Sequence, residues 1–390
     1  MHVVIATPHL VYVGGSETYL HTVAGNLVRL GHQVTVHAPV LGAMADQVRG
    51  VGATVVDESG LPDTCDALLV QDVGTAYAMA DRWPGMPQVY VAHSAYFDLQ
   101  LPPLVPVPGS VVVVMSDRLA DRVAALPGTF DVVRLRQPID AVRLAPRGRV
   151  AERPRRAVLL GNYLEGEARD AIVEAWSGAG LEVVQIGTMT EPTLDVAAAV
   201  ADADVVVGKG RAVLDGMACG RPVFLYDAFG SDGWVTPATY DALEADAFAG
   251  QSQPEVLDRA GLARALDDYD PGMGRVNREL VLKHHQDRKH AEALVALFRR
   301  LRPGLDDRPT PDAELARLSR LRWRAELEAE GLRRQTVDLT VRVRDLEERL
   351  RMSEQRRRGR ARAARRFKQR LVELGEDVGE TMGGPVDATQ

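Results

Sequence analysis

Short runs of Val, Ile and Leu alternate with longer stretches of mixed polarity over the first 300 residues of the chain. Runs that are apolar at nearly every position are typical of strands buried on both faces of a parallel sheet. They predict six strands in the first part of the chain, at residues 3–6, 33–37, 53–56, 67–70, 88–92 and 111–115.

The segment between the first two predicted strands has a helical pattern. Its apolar residues recur at i, i+3 and i+4 spacing ahead of Gly31, which favours the end of a helix; they are Leu20, Val23, Ala24, Leu27 and Leu30. A strand, a helix and a second strand in this order form a βαβ unit with parallel strands. We therefore expect a parallel sheet covered by helices on both faces.

The same pattern restarts after a segment of different composition. Residues 145–156 contain two prolines and five arginines, which predicts an interdomain linker. Beyond it, strands are expected at residues 157–160, 183–186, 205–207 and 223–226, and helices at 170–179, 194–201 and 212–219. The predicted fold class is thus α/β with two Rossmann-like, doubly wound domains, which bind ligands beyond the carboxyl ends of their strands.

A helical segment at residues 279–301 precedes a second predicted linker at 303–312. The expected organisation is an N-terminal Rossmann-like domain at 1–145, a second Rossmann-like domain with its return helix at 146–302, that linker, a coiled coil with a basic extension at 313–372, and a frayed tail at 373–390.

The coiled coil is predicted from one unbroken heptad register. Nine of its eleven a and d positions are apolar, a pattern typical of helices that pair with another helix; the eleven are Leu315, Leu318, Arg322, Ala325, Ala329, Leu332, Thr336, Leu339, Val343, Leu346 and Leu350. The segment at 313–352 is therefore expected to bind a second copy or a partner helix. The alternative is a helix folded back on the body of the protein.

Residues 355–370 contain nine Lys or Arg and no acidic residue. Such a segment is either a solvated helical extension or a patch that binds an anionic membrane surface or polymer.

Composition narrows the function classes. Hydrophobic residues make up 46% of the chain and charged residues 26%, as in folded globular proteins, and the net charge of −7 does not favour a nucleic-acid binder. Two cysteines form neither a disulfide framework nor a zinc cluster. The first residues lack the features of a signal peptide, and no apolar run reaches about 18 residues. We expect a cytoplasmic protein, with peripheral attachment to the inner face of the membrane as a further possibility.

Two glycine-containing loops are candidates for binding phosphate groups. Gly14 and Gly15 follow the first strand, and Ser16 is placed to cap the next helix, whose N-terminus attracts anions. In the second domain Gly208, Lys209, Gly210 and Arg211 follow a strand and open a helix, which suits a diphosphate. Either loop is alternatively a plain turn.

Several motifs resemble those of GT-B glycosyltransferases of the retaining, GT4-like type. Gly14-Gly15-Ser16-Glu17, a helix and Gly-His-Gln-Val-Thr-Val at 31–36 resemble the start of their first domain. Val-Tyr-Val-Ala-His at 89–93 resembles their histidine motif, and Ser116-Asp-Arg-Leu with Arg-Gln-Pro-Ile-Asp at 136–140 resembles the end of that domain. Leu-Asp-Gly-Met-Ala-Cys-Gly-Arg-Pro-Val at 214–223 is the most specific match.

This resemblance implies that a sugar is transferred, with retention of configuration, from a nucleotide-diphosphate donor to a carbohydrate or lipid-linked acceptor. It implies that the domain at 1–145 is the acceptor-side domain and that the domain at 146–302 is the nucleotide-sugar domain. It implies catalytic roles for His93, which faces the donor, and Asp215, which contacts the ribose. It also implies that Gly14, Gly15 and the loop from Gly208 to Arg211 bind the donor diphosphate. No metal or resident cofactor is expected, because Asp202-Ala203-Asp204 precedes a buried strand and is interpreted as its entry.

The sequence departs from the family pattern at three positions. Val207 stands where the family's E-x7-E motif has its first acid, and Asn162 and Glu167 stand where the family has an Arg and a Lys near the diphosphate. These departures leave a second hypothesis open, a catalytically inactive GT-B scaffold that recruits partners through its coiled coil. A nucleotide-sugar epimerase is a third.

Overall fold

The computed structural model describes residues 1–303, apart from 12, 162–163, 188–192, 194 and 253–254, and part of residues 314–350. The chain divides into two compact units, Met1–Glu314 and Leu315–Gln390. The first unit contains both sheets and all the motifs discussed above for nucleotide-sugar binding.

Strands and helices alternate through the first unit, as the hydrophobic pattern predicts. The strands are β1 (His2–Ala6), β2 (Gln33–His37), β3 (Thr54–Val56), β4 (Ala67–Val70), β5 (Gln88–Val91), β6 (Val111–Val114), β7 (Val132–Arg134), β8 (Arg156–Leu160), β9 (Glu182–Ile186), β10 (Val205–Gly208), β11 (Val223–Asp227) and β12 (Gly230–Trp234). The helices are α1 (Gly15–Arg29), α2 (Ala43–Gly50), α3 (Val73–Arg82), α4 (Asp117–Ala124), α5 (Gly166–Gly178), α6 (Val196–Ala199), α7 (Arg211–Ala218), α8 (Tyr240–Ala245), α9 (Arg259–Arg264), α10 (Met273–His284) and α11 (Asp287–Arg300).

The first sheet has seven parallel strands in the order β3-β2-β1-β4-β5-β6-β7. The order reverses between β1 and β4, which makes their carboxyl ends the switch point where doubly wound sheets bind ligands. The predicted parallel sheet is confirmed, although the short edge strand β7 was not predicted.

The second sheet has five strands in the order β12-β11-β10-β8-β9, and its switch point lies between β8 and β10. Four of these strands are parallel, whereas β12 pairs antiparallel with β11. The sequence pattern did not predict β12, because its residues, Gly-Ser-Asp-Gly-Trp, include no apolar run.

The first unit has two halves, one built around each sheet. Helix α11 belongs to the second part of the chain but packs on the first half. Its buried residues Ala291, Leu294 and Phe298 belong to the core that α1 and β1 also form. The prediction of one helix at 279–301 was wrong, since α10 ends at His284 and α11 begins at Asp287. The chain crosses from the second half to the first in this break.

The other crossing lies earlier than the linker predicted at 145–156. Leu135 packs on the core of the first sheet and Ile139 is buried in that of the second, so the chain changes halves between them. The Arg- and Pro-rich segment instead belongs to the second half. Asp204 accepts the backbone N–H groups of residues 151, 155 and 156, and the buried Arg221 donates to carbonyls of residues 147 and 149.

The described residues of 315–350 are helical. Six apolar residues at predicted a and d positions are each more than half exposed: Leu315, Leu332, Leu339, Val343, Leu346 and Leu350. The coiled coil at 313–352 therefore stays a prediction. Residues 304–312 of the linker predicted at 303–312, the basic segment at 355–370 and the tail at 373–390 lie outside the described residues.

Among the helices that the structure describes, none has the length and apolar character needed to cross a membrane.

Candidate functional site

The first glycine loop opens α1 without unusual backbone geometry. The helix begins at Gly15, and its N-cap residue, Gly14, is extended at φ −125° and ψ 179°. The prediction that Ser16 caps this helix was wrong. Ser16 lies inside the first turn, where its hydroxyl donates to the Glu17 carboxylate at 3.0 Å.

Glu17 occupies the space beside this helix start. A Cβ atom on Gly14 would collide with its carboxylate, whereas the space beside Gly15 is open. Glu17 is buried, and its carboxylate lies 3.8 Å from the His9 ring. A carboxylate at the N-terminus of a helix already complements the positive end of the dipole, so a diphosphate placed there would meet a negative charge.

The second glycine loop connects β10 to α7 at the switch point of the second sheet. Gly208 is needed for packing, because a Cβ atom there would come within 2.7 Å of the Leu160 carbonyl oxygen. Gly210 has a left-handed φ of 58°, which favours glycine, and its N–H donates to the Phe248 carbonyl at 2.6 Å. The Gly210 N–H therefore already has a partner.

The two cations of this loop have different surroundings. The Lys209 ammonium forms an ion pair with Asp227 and lies 5.1 Å from the centroid of the Phe229 ring. Arg211 points the other way, and its Nη1 donates to the Pro138 carbonyl, in the segment that joins the two halves, at 3.3 Å. Arg211 is thus the cation of this loop that reaches the junction between the halves.

Arg211 forms a buried pair with Asp215 one helical turn away, with Nε and Oδ1 3.5 Å apart. Neither atom makes a hydrogen bond within the described part of the chain, and neither does Arg211 Nη2. Burial lowers the pKa of Arg211 and raises that of Asp215, while each charge favours the ionised form of the other. The pair retains hydrogen-bonding capacity that an anionic or hydroxyl-bearing ligand could use.

His93 follows β5 in the first half, close enough to Arg211 for the charge of that guanidinium to act on its ring. Its Nε2 lies 2.6 Å from Oε1 of Gln71, which follows β4, and its ring packs edge-on against Tyr19 with centroids 4.9 Å apart. Burial, and to a lesser extent the charge of Arg211, lowers the pKa of His93 to about 3, so this ring is neutral at pH 7.

Charged residues of the second half also affect the pKa of His21, which lies on α1. Burial lowers its pKa, and the positive charges of Arg143 and Arg211 lower it further, against the opposing charge of Asp140. The charges of the second half therefore act on histidines from two elements of the first half, α1 and the segment after β5.

Two similar Tyr–His–carbonyl arrangements fix the chain crossings. Tyr19 pairs with His290 Nε2 at 2.8 Å, and His290 Nδ1 lies 2.9 Å from the Arg136 carbonyl. In the same way, the Tyr240 hydroxyl lies 2.8 Å from His285 Nε2, and His285 Nδ1 lies 2.8 Å from the Gln137 carbonyl. Because each Nδ1 must donate to its carbonyl, each Nε2 accepts from a tyrosine hydroxyl.

Ion pairs also connect the two halves. Arg118, on α4, contacts Asp246 at 2.7 Å, and Arg134, on β7, contacts Glu244 of α8 at the same distance. Asp246 precedes two non-glycine residues with left-handed backbones, Ala247 at φ 59° and Phe248 at φ 53°. This strained turn therefore lies between the Gly210 loop and an ion pair to the other half.

No protein-family model matches the chain, and no curated protein matches its sequence. Among solved structures, a glycosyltransferase from Rickettsia africae is 12% identical with a TM-score of 0.57, and the match covers 76% of this chain and 97% of that one. HepE from Anabaena, in complex with UDP and glucose, is 11% identical with a TM-score of 0.57, over 77% of this chain and 100% of that one. The fold matches that of GT-B glycosyltransferases. At these identities the similarity concerns the fold.

Within this GT-B fold, the predicted site residues separate into two groups. His93, Arg211 and Asp215 lie at the junction of the halves, whereas Lys209 pairs with Asp227 and Gly208 serves packing. Asp215 is the fifth residue of α7 and is buried. His21 and Gln71 were not predicted, although Gln71 directly follows a predicted strand at the switch point.

Of the three departures from the family pattern, Val207 and Glu167 lie in the described part of the chain, and Asn162 lies outside the described residues. Val207 is fully buried inside β10, where a carboxylate would be costly. Glu167 is exposed in the first turn of α5. Asp204 is committed to three backbone N–H groups, which is a structural role.

Proposed function

We propose that the protein is a glycosyltransferase that moves a sugar from a nucleotide-diphosphate donor to a carbohydrate or lipid-linked acceptor, with retention of configuration as the family resemblance implies. The observation that carries the proposal is Arg211, a buried guanidinium at the switch point of the second sheet whose charge acts on His93, beyond the end of β5 in the first sheet. The fold shared with HepE, which was solved with UDP and glucose, makes UDP-glucose the first donor to test.

The chemistry required of the site is charge stabilisation. The bond between the anomeric carbon and the departing phosphate oxygen breaks, and its electron pair goes to the diphosphate. The acceptor oxygen bonds to the anomeric carbon, and its proton passes to the departing phosphate oxygen. A fixed cation such as Arg211 stabilises the charge that develops on the diphosphate, and Asp215 holds the guanidinium in place.

Binding would require the two halves to separate locally. Arg211 Nε, Arg211 Nη2 and Asp215 Oδ1 are closed to solvent in this conformation, so a ligand reaches them only after the junction opens. The ion pair between Arg118 and Asp246 spans that junction and would break during opening. We therefore interpret the structure as a closed conformation, in which these atoms are out of reach of a ligand.

A binding screen tests the proposal. Thermal unfolding would be followed with UDP, UDP-glucose, GDP-mannose, ADP-glucose and TDP-glucose, since a ligand at a hundredfold its Kd stabilises a protein by about 2.7 kcal/mol. The Arg211→Gln variant should lose about 10- to 100-fold in affinity, because a charge-assisted hydrogen bond disappears. Arg211→Lys keeps a charge beside Asp215 and should lose less, and Arg275→Gln, on the exposed face of α10, is the control.

Release of free nucleotide in the presence of acceptors would then separate transfer from binding. If the wild type bound none of the five compounds, the proposal would be wrong. Equal affinities for wild type and Arg211→Gln would exclude the assigned role of Arg211.

A second candidate is a GT-B protein that binds nucleotide without turnover. It is favoured by Val207 and Glu167 at positions where the family has an acid and a cation, and by the ion pair that occupies Lys209. Nucleotide affinity without release of product, with any acceptor, would support this candidate over the transferase.

We also propose that the helix at 313–352 pairs with a second copy or a partner helix. The exposed leucines at its a and d positions support this proposal. The proposal that the segment at 355–370 binds an anionic membrane surface depends on its charge alone.

A further inference from the structure

We infer that Gln71 is a positioning residue of the site, which holds His93 as a neutral hydrogen-bond acceptor toward a sugar hydroxyl. The inference rests on the proposed function and specifies the chemistry of the ligand group that His93 meets. A cationic histidine would bind phosphate, whereas a neutral acceptor binds a hydroxyl. The two possibilities make different predictions for variants of Gln71.

The position of Gln71 follows from the sheet topology. It is the first residue after β4, one of the two strands that flank the switch point of the first sheet. Its side chain is 2% exposed and reaches the end of the neighbouring strand β5, where Oε1 lies 2.6 Å from His93 Nε2. This residue therefore connects adjacent strand ends at the place where doubly wound sheets bind ligands.

The contact with Gln71 determines the tautomer of His93. A carboxamide oxygen only accepts hydrogen bonds, so Nε2 must carry the proton and Nδ1 must be the acceptor. In the described part of the chain Nδ1 makes no hydrogen bond, and the His93 ring is partly accessible to solvent. The ring plane is held by the edge-on contact with Tyr19.

The surrounding charges keep the ring neutral. The groups that face it are the Tyr19 hydroxyphenyl ring, the Gln71 amide, the Arg211 guanidinium and the His290 imidazole, and none of them is anionic at pH 7. Both Arg211 and His290 oppose a positive charge on His93. A glutamate at position 71 would supply a negative charge at this place and favour the imidazolium form.

A second observation points to a ligand. Nε2 of Gln71 is buried and makes no hydrogen bond within the described residues, which is rare for a buried amide. Together the two side chains leave one donor, Gln71 Nε2, and one acceptor, His93 Nδ1, without partners. Because a sugar hydroxyl is both a donor and an acceptor, separate hydroxyls of one sugar can complement each of these two atoms, whereas a phosphate oxygen complements only the donor.

The tautomer can be measured directly in the full-length protein labelled with nitrogen-15 histidine. Two-bond correlation spectra at pH 7 should give His93 as neutral, with the proton on Nε2. In Gln71→Glu the imidazolium form should appear at a pH about one to three units higher than in the wild type. A wild-type ring that is protonated on Nδ1, or on both nitrogens, would overturn the inference.

Ligand binding provides the second readout. Gln71→Leu should weaken UDP-glucose, or whichever nucleotide sugar binds, by about five- to tenfold, as expected for one neutral hydrogen bond, and leave UDP affinity unchanged. Gln88→Leu is the matched control, because Gln88 is equally buried on β5 but donates to the Ala76 carbonyl. Equal losses for UDP and the nucleotide sugar would assign Gln71 a merely structural role. If the wild type bound no nucleotide, the proposed function would fail and the sugar contact with it, whereas the histidine spectrum would still decide the tautomer.

Discussion

Three histidines at the junction, the buried His285 and His290 and the half-buried His93, predict a steep loss of stability in mild acid. Burial lowers the pKa of His93 to about 3 and those of His285 and His290 to about 4. In the unfolded chain each titrates near its ordinary pKa of about 6.5. Between these values the unfolded state binds more protons than the folded state, so stability rises with pH and is lost as the pH falls below 6.5.

The size of the effect follows from the same values. At pH 5.5, one unit below the ordinary pKa, each histidine lowers the free energy of unfolding by about 1.36 kcal/mol, the equivalent of one pKa unit. The three together lower it by about 4 kcal/mol. This is a large part of the 5–15 kcal/mol that is typical of folded proteins. The lowered pKa values of His21, His37 and His284 act in the same direction. The raised pKa values of Asp72 and Asp215 act in the opposite direction over the range in which those carboxyls titrate.

Urea unfolding of the full chain at several pH values between 5 and 7.5 measures this slope. The His290→Asn variant keeps an amide donor for the Arg136 carbonyl but cannot titrate, so its slope should be shallower by about one proton. Lys289→Gln, at the exposed neighbouring position, should keep the wild-type slope. A wild-type free energy of unfolding that is the same at pH 5.5 and 7.5 would refute the assignment of these histidines as neutral.

Three further predictions concern the site and the tail. Asp215→Ala should weaken UDP binding by about 10- to 100-fold in titration calorimetry, as expected for a lost hydrogen bond to a charged group, and an unchanged affinity would exclude a ribose contact. Arg118→Ala should speed nucleotide association in stopped-flow measurements, because an ion pair across the junction is lost, whereas Arg122→Ala, whose partner Asp98 lies in the same half, should not. Truncation after residue 309 should convert an oligomer into a monomer, as measured by light scattering. An unchanged number of subunits would refute the predicted coiled coil.

Local patterns were sufficient for most of the strands, because parallel strands buried on both faces must be apolar along their length. The strands predicted at 33–37 and 67–70 have those bounds in the structure. In contrast, β12 depends on its antiparallel pairing with β11, and its Gly and Asp residues carry no apolar signal. Such a strand could be predicted only from the neighbour that it pairs with.

The break between α10 and α11 shows the same limit for helices. Residues 285–286 include neither Gly nor Pro, so the sequence gives no local reason for a helix to end there. The break is stabilised by distant partners instead. His285 contacts the Tyr240 hydroxyl and the Gln137 carbonyl, and its own carbonyl accepts the Ile139 N–H at 2.9 Å. These contacts join residues separated by 45 and more than 140 positions, which helical periodicity does not detect.

The candidate site illustrates which information the strand order adds. Lys209 and Arg211 are equivalent in sequence, as cations that flank Gly210, and only their partners distinguish them. Asp227 lies 18 residues downstream of Lys209 and Pro138 lies 73 residues upstream of Arg211, on different sides of the loop. Gln71, however, could have been found by a topological argument. Once the strands at 3–6 and 67–70 are recognised as the pair that flanks the reversal of the sheet, the first polar residue after the second of them is placed at the ligand-binding edge, whatever motif surrounds it.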